Sequence, residues 1–152
     1  IGGNGLMKQN TEQLYRTNLV LWSAFLMSQS VFFMVLYFAK PELFKFDFSK
    51  PLLGENLIVI VIFGFMAIMN LFVGLFLRIQ GTQRAIDEQK PMLLQSSLIL
   101  GLAFCESLSI LGLVLAFAFN YQYFFLWFIL AIIGMMLHYP KRQNYHDASF
   151  KK

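Results

Sequence analysis

The sequence is short of charge and of cysteine, and each shortage excludes something. Only 13% of its 152 residues are charged, about half the share of a soluble domain, which excludes an ordinary water-soluble globule. One cysteine, Cys105, leaves no intramolecular disulfide. It reads as a buried, inert thiol. There are two histidines, His138 and His146, with Pro140 between them. No Cys, His and carboxylate spacing suggests a metal site. No glycine-rich loop suits a phosphate, and no polar triad stands outside the apolar runs, so no enzyme is expected. No A-x-A-like site follows the first apolar run, which is too long for a signal h-region. The opening IGGNGL is set aside as either an expression remnant or a genuine N-terminus.

What is abundant is apolar surface. Hydrophobic residues make up 58% of the chain, and 18 residues are Phe. Mean hydropathy is +0.62. This composition predicts an all-α integral membrane protein, a single domain over residues 1–152. Four runs suit transmembrane helices: about 19–39, 57–77, 92–119 and 123–138. A helix rises about 1.5 Å per residue, so some 20 residues cross a hydrocarbon core of about 30 Å. The net charge of +4 reads as topology, not as nucleic-acid binding. Lys8, Arg16, Arg78, Arg84, Lys90, Lys141, Arg142, Lys151 and Lys152 fall on one side, and Lys40, Lys45 and Lys50 on the other. The positive-inside bias puts both termini in the cytoplasm.

Between the spans, Lys8–Asn18 reads as an interfacial helix or a lead-in to the first span. Lys40–Asn56, bounded by Pro41 and Pro51, reads as an interfacial loop whose Phe residues dip into the headgroups. Arg78–Pro91 reads as a polar connection. There Gly81 ends the second helix, and Asp87 and Glu88 open the third, with Pro91 in its first turns. The tail after Tyr139 reads as surface-bound or mobile.

The third run, LLQSSLILGLAFCESLSILGLVLAF, carries one ionisable carboxylate, Glu106, near its middle. A charge there costs on the order of 3 kcal/mol on insertion scales, so it marks a functional site by default. Counting inward from the span ends puts Gln29 of the first run and Asn70 of the second at a similar depth. With Ser107 and Ser109 they are candidate partners of Glu106 in an ion site. Gly64 and Gly74 offer close helix approach in the second run. Depth is readable by counting; rotation about the helix axis is not.

Gly101, Leu102, Ala103, Glu106, Ile110, Gly112, Leu113, Val114 and Ala116 match, in register, a "GLAxxEAxxIYGLVxA" pattern. This stretch resembles the carboxylate-bearing helix of the c subunits (proteolipids) of rotary ATP synthases. The resemblance implies that Glu106 binds and translocates an ion, with Gly101, Ala103 and Gly112 as helix-packing positions. It implies an oligomer, or partnership with other membrane subunits, in a bacterial inner (plasma) membrane. Ser107 after Glu106 resembles the Na⁺-binding members. The Tyr those members carry is Leu111 here, and their Gln on the preceding helix has only Asn70 to match it. The resemblance thus favours H⁺ over Na⁺, with no further cofactor. The second run also lacks the family's dense alternating glycines. The alternative is a structural or assembly subunit, in which a protonated Glu106 bonded to Asn70 or Gln29 holds helices together. A third reading, lipid binding, rests on the Phe-rich 40–56 segment alone.

Overall fold

The computed structural model describes residues 2–150, and all of their regular structure is helical. Helix α1 spans Gly2–Ala39, α2 Leu57–Asp87, α3 Met92–Phe119, α4 Phe125–Leu137 and α5 Arg142–Ser149. Short 3-10 turns at Pro41–Phe44 and Gln122–Phe124 complete the regular structure. α1, α2 and α3 are long and apolar enough to cross a membrane. α4 has 13 residues, about 20 Å of helix, less than a hydrocarbon core. It reaches a fourth span only if α5 continues it across a bend of 43°.

α3 is the centre of the bundle, packing against α2, α4 and α1. Its buried residues fall on most sides, among them Leu98, Leu102, Cys105, Leu108 and Leu115. Apolar side chains all round a helix are what a central position requires. Small residues set the close approaches. A Cβ on Gly112 would lie 3.0 Å from the Trp127 Cβ, and one on Gly74 would lie 3.3 Å from the Gly101 carbonyl oxygen.

The helix ends follow local chemistry. α1 stops before Pro41, because a proline steers the residue before it out of the α region. α2 ends with Gln89 in the left-handed region, at φ 52°, and the Lys90 N–H returns to the Ala85 carbonyl at 2.9 Å. This is a Schellman closure. α3 ends on Asn120, also left-handed at φ 49°, a conformation Asn tolerates better than most residues.

Of the two readings of Lys8–Asn18, the lead-in holds, since the stretch is continuous with α1. Three other expectations change. Gly81 does not end α2, which runs on to Asp87. The Arg84–Glu88 ion pair (2.5 Å) and the Gln83–Asp87 bond (3.2 Å) support the added turns at i,i+4 spacing. Gly81 instead admits Ser97, whose Cβ would lie 2.3 Å from a Cβ at that position. Asp87 and Glu88 accordingly close α2 and do not open α3, and Pro91 is the residue before α3.

The tail is the third change. It folds back as α5 against the start of α1 and the end of α2. Tyr145 and Ala148 are fully buried. Asn18 Nδ2 donates to the Tyr145 hydroxyl at 2.6 Å, and Arg142 Nη2 to Glu12 at 2.7 Å. α5 thus lies at the end of the bundle where α1 begins.

At the opposite end, the 40–56 loop is tied to the turn after α3. Tyr121 and Tyr123 donate to the Leu52 and Lys50 carbonyls at 2.7 and 2.6 Å, and Lys40 reaches Asn120 at 2.6 Å. Phe44 packs inward against Phe33, Tyr37 and Phe124. Phe48 stays exposed.

Candidate functional site

Glu106 is the fifteenth of the 28 residues of α3, about 20 Å of helix from either end. It is half-buried, on the flank that meets α1. The Ser28 hydroxyl of α1 lies 3.0 Å from Glu106 Oε1 and 2.7 Å from the Phe25 carbonyl of its own helix. One hydroxyl has one hydrogen and two acceptor lone pairs. It can donate to the carboxylate when Glu106 is ionised. When Glu106 carries a proton, that proton can point at Ser28, which then donates to Phe25.

The neighbour of Ser28 extends the network. Gln29 is buried. Its Nε2 lies 3.5 Å from Ser28 Oγ, at the outer limit of a hydrogen bond. Its Oε1 accepts from the Ser109 hydroxyl of α3, which is fully buried. Glu106, Ser28, Gln29 and Ser109 therefore form one closed connection between α1 and α3, with the carboxylate at its partly exposed end.

Asn70 belongs elsewhere. Its Nδ2 donates to Ser107 Oγ at 2.9 Å, and Ser107 donates to the Phe104 carbonyl at 2.6 Å. Successive residues are about 100° apart around a helix of 3.6 residues per turn. Ser107 accordingly serves the α2 flank of α3, while Glu106 and Ser109 serve the α1 flank. Of the five residues singled out in the sequence, Glu106, Gln29 and Ser109 share one network, and Asn70 and Ser107 form a separate pair.

The packing positions also divide. Gly101, Gly112 and Gly74 sit at close contacts, whereas a Cβ on Gly64 would meet nothing within 4 Å. Ala103 is exposed.

Sequence reasoning passed over Ser28, because a serine in a helix usually returns its hydrogen bond to its own backbone. The available signal was the polar run Ser28, Gln29, Ser30 in the middle of an apolar segment. Among the described residues, no three His, Cys, Asp or Glu side chains cluster as metal ligands would.

No protein-family model, curated protein or solved structure matches the chain.

Proposed function

We propose that this chain is an integral membrane protein in which Glu106 binds and releases one proton at the middle of the bilayer, in the manner of a proteolipid carboxylate. The observation that carries this reading is the Ser28–Glu106 contact at 3.0 Å. A partner able both to donate and to accept serves the charged and the neutral carboxyl without rearranging the helices. A carboxylate in hydrocarbon is expensive, and Ser28 lowers that cost while leaving Glu106 partly accessible. Ser28 Oγ and the carboxyl oxygens are the groups in contact here. A proton needs no more, whereas a hard cation takes several oxygens.

Transfer across a membrane needs a path to each side, and a site between neighbouring copies would supply one. α2 presents Phe65, Phe72 and Phe76 outward, a face that suits lipid or a second copy. The basic residues would set both chain ends in the cytoplasm, in a bacterial inner membrane if the proteolipid resemblance holds. The Asn70–Ser107 pair favours a second, purely structural role for the α2–α3 contact alongside this one.

The test is infrared difference spectroscopy on the protein in lipid nanodiscs, stepped from alkaline to acidic pH. A carboxylic C=O band should appear in the wild type and be missing from Glu106→Gln. An identical band in both proteins would remove Glu106 from the titration and overturn the proposal.

A further inference from the structure

Between α1, α4 and the 40–56 loop lies a groove of about 770 Å³, the size of a small-molecule pocket. Its wall is aromatic. Phe33 comes from α1, Phe46 and Phe48 from the loop, and Phe125 and Phe128 from α4. The rings brace one another edge-on, Phe33 against Phe128 with centroids 5.8 Å apart and Phe46 against Phe125 at 5.3 Å. Gln122 Nε2 donates to the Asp47 carbonyl at 2.7 Å, which holds the loop beside the start of α4.

Two polar side chains line the same groove, the neighbours Gln29 and Ser30 of α1. Gln29 is 4% exposed. Its Oε1 is taken by the Ser109 hydroxyl. Its Nε2 carries two hydrogens, and the contact to Ser28 Oγ at 3.5 Å is all they make among the described residues. A donor is left over on a buried side chain, where polar groups are ordinarily satisfied. Ser30 is likewise unspent. Ser23 and Ser28 of the same helix return their hydroxyls to the Leu19 and Phe25 carbonyls at 2.9 and 2.7 Å, as helix serines do. The Ser30 hydroxyl makes no hydrogen bond among the described residues.

Depth limits what can satisfy these two donors. Gln29 stands about 15 Å of helix before Ala39, where α1 ends. In a helix that crosses a bilayer this is the middle of the hydrocarbon, which holds no water. The ester carbonyls of phospholipids stay at the interface with the headgroups. The missing acceptor must belong to a neutral molecule that dissolves in the hydrocarbon itself.

We infer that this groove binds a lipid-soluble quinone, a neutral molecule with a flat conjugated ring, a carbonyl acceptor and an apolar tail. The carbonyl oxygen accepts from Gln29 Nε2 and Ser30 Oγ. The ring lies against Phe33 and Phe128, because flat rings meet aromatic walls in offset or edge-on contacts that a saturated chain does not make. The tail leaves into lipid over Met34 and Ile129, which line the groove and are exposed. Phe46 and Phe48 close the groove toward the loop end. The step is binding alone, with no electron or proton passed. It takes from the proposed function only that α1 crosses a bilayer, and it holds whether or not Glu106 titrates.

The probe is decylbenzoquinone with isotope-labelled carbonyls, titrated into the full chain in nanodiscs and read by infrared difference spectroscopy against protein-free nanodiscs. A bound carbonyl that accepts two hydrogen bonds should give a band at lower frequency than the quinone dissolved in lipid, and this band should saturate at one quinone per chain. Ser30→Ala keeps Gln29 and its bonds, and should weaken binding by about threefold or more, the factor a neutral hydrogen bond is worth. Gln29→Leu should abolish the shifted band. Ile129→Trp, which fills the groove and spares both donors, should exclude the quinone. A wild-type band no different from that of lipid-dissolved quinone, or a shifted band unchanged in all three variants, overturns the inference and leaves the groove to lipid chains. The readout is the quinone's own carbonyl, so its failure is distinct from the loss of a Glu106 band.

Discussion

Ser28 on α1 and Glu106 on α3 are 78 positions apart in the chain, and their side-chain oxygens are 3.0 Å apart in the fold. This contact turns a lone polar residue in an apolar helix into a site. Removing the serine hydroxyl takes a hydrogen-bond partner from the carboxyl in either of its forms. Ser28→Ala should therefore shift the frequency of the Glu106 C=O band from its wild-type position. An unchanged frequency would separate Ser28 from the site.

The glycines of the bundle should respond to alanine according to the space beside them. Gly101→Ala drives a methyl into the His138 ring and should cost about 1–3 kcal/mol, as overpacking does. Gly64→Ala meets nothing within 4 Å and should fall within about 1 kcal/mol of wild type, on the stabilising side. Unfolding in mixed micelles with increasing denaturing detergent ranks the two. Equal stability of both variants would contradict the packing described for Gly101.

The α5 dock should loosen in acid. The hydrogen bond from Arg142 holds the Glu12 carboxyl below its ordinary 4.5. A carboxyl depressed on folding stabilises the fold above its unfolded value, and this contribution is lost as pH falls through its lower folded value. Spin labels at Gln9 and Gln143, in a Cys105→Ala background, should give a narrow distance distribution near neutrality. It should broaden progressively below about pH 4.5. Glu12→Gln should broaden it at every pH, and high salt should weaken the clamp in the wild type, because the pair is exposed. A distribution indifferent to pH, salt and the substitution would mean that Tyr145 and Ala148 alone hold α5.

The Asn70–Ser107 pair should behave as ordinary interhelical glue. A double-mutant cycle of Asn70→Ala and Ser107→Ala should return a coupling of about 0.6 kcal/mol, the mean for such bonds in membranes. Neither substitution should remove the Glu106 C=O band. A lost band would merge the pair with the carboxylate site.

How much of this was legible in the sequence depended on which residues carried the signal. α1, α2 and α3 follow from long apolar runs, which hydropathy reads directly. α5 does not, because its docking depends on Tyr145 and Ala148, three positions apart in an otherwise polar stretch. Gly81 reads locally as a helix stop, yet α2 runs on through it to Asp87, and its missing Cβ leaves room for Ser97 of α3. Glu106 stands out by its charge alone. Ser28 and His138 do not. The first looks like a self-bonded helix serine, and it does bond its own backbone at Phe25. The second falls at the edge of a counted span, yet the packing of α4 on Gly101 puts it inside the bundle. Depth came from counting. The flank of α3 on which each polar residue lies came only from the fold.

The most direct measurement is carbodiimide modification of the protein in lipid, with mass spectrometry to locate the adduct and pH as the variable. Dicyclohexylcarbodiimide is apolar and reacts with protonated carboxyls, so a proton-carrying, partly exposed Glu106 at mid-membrane should be labelled selectively. Labelling should increase as pH falls, and added Na⁺ should not protect. Glu106→Gln should abolish the adduct while the protein stays folded. No labelling of Glu106 at any pH, or labelling confined to Glu12, Glu42 and the other carboxyls outside the apolar segments, would contradict the account.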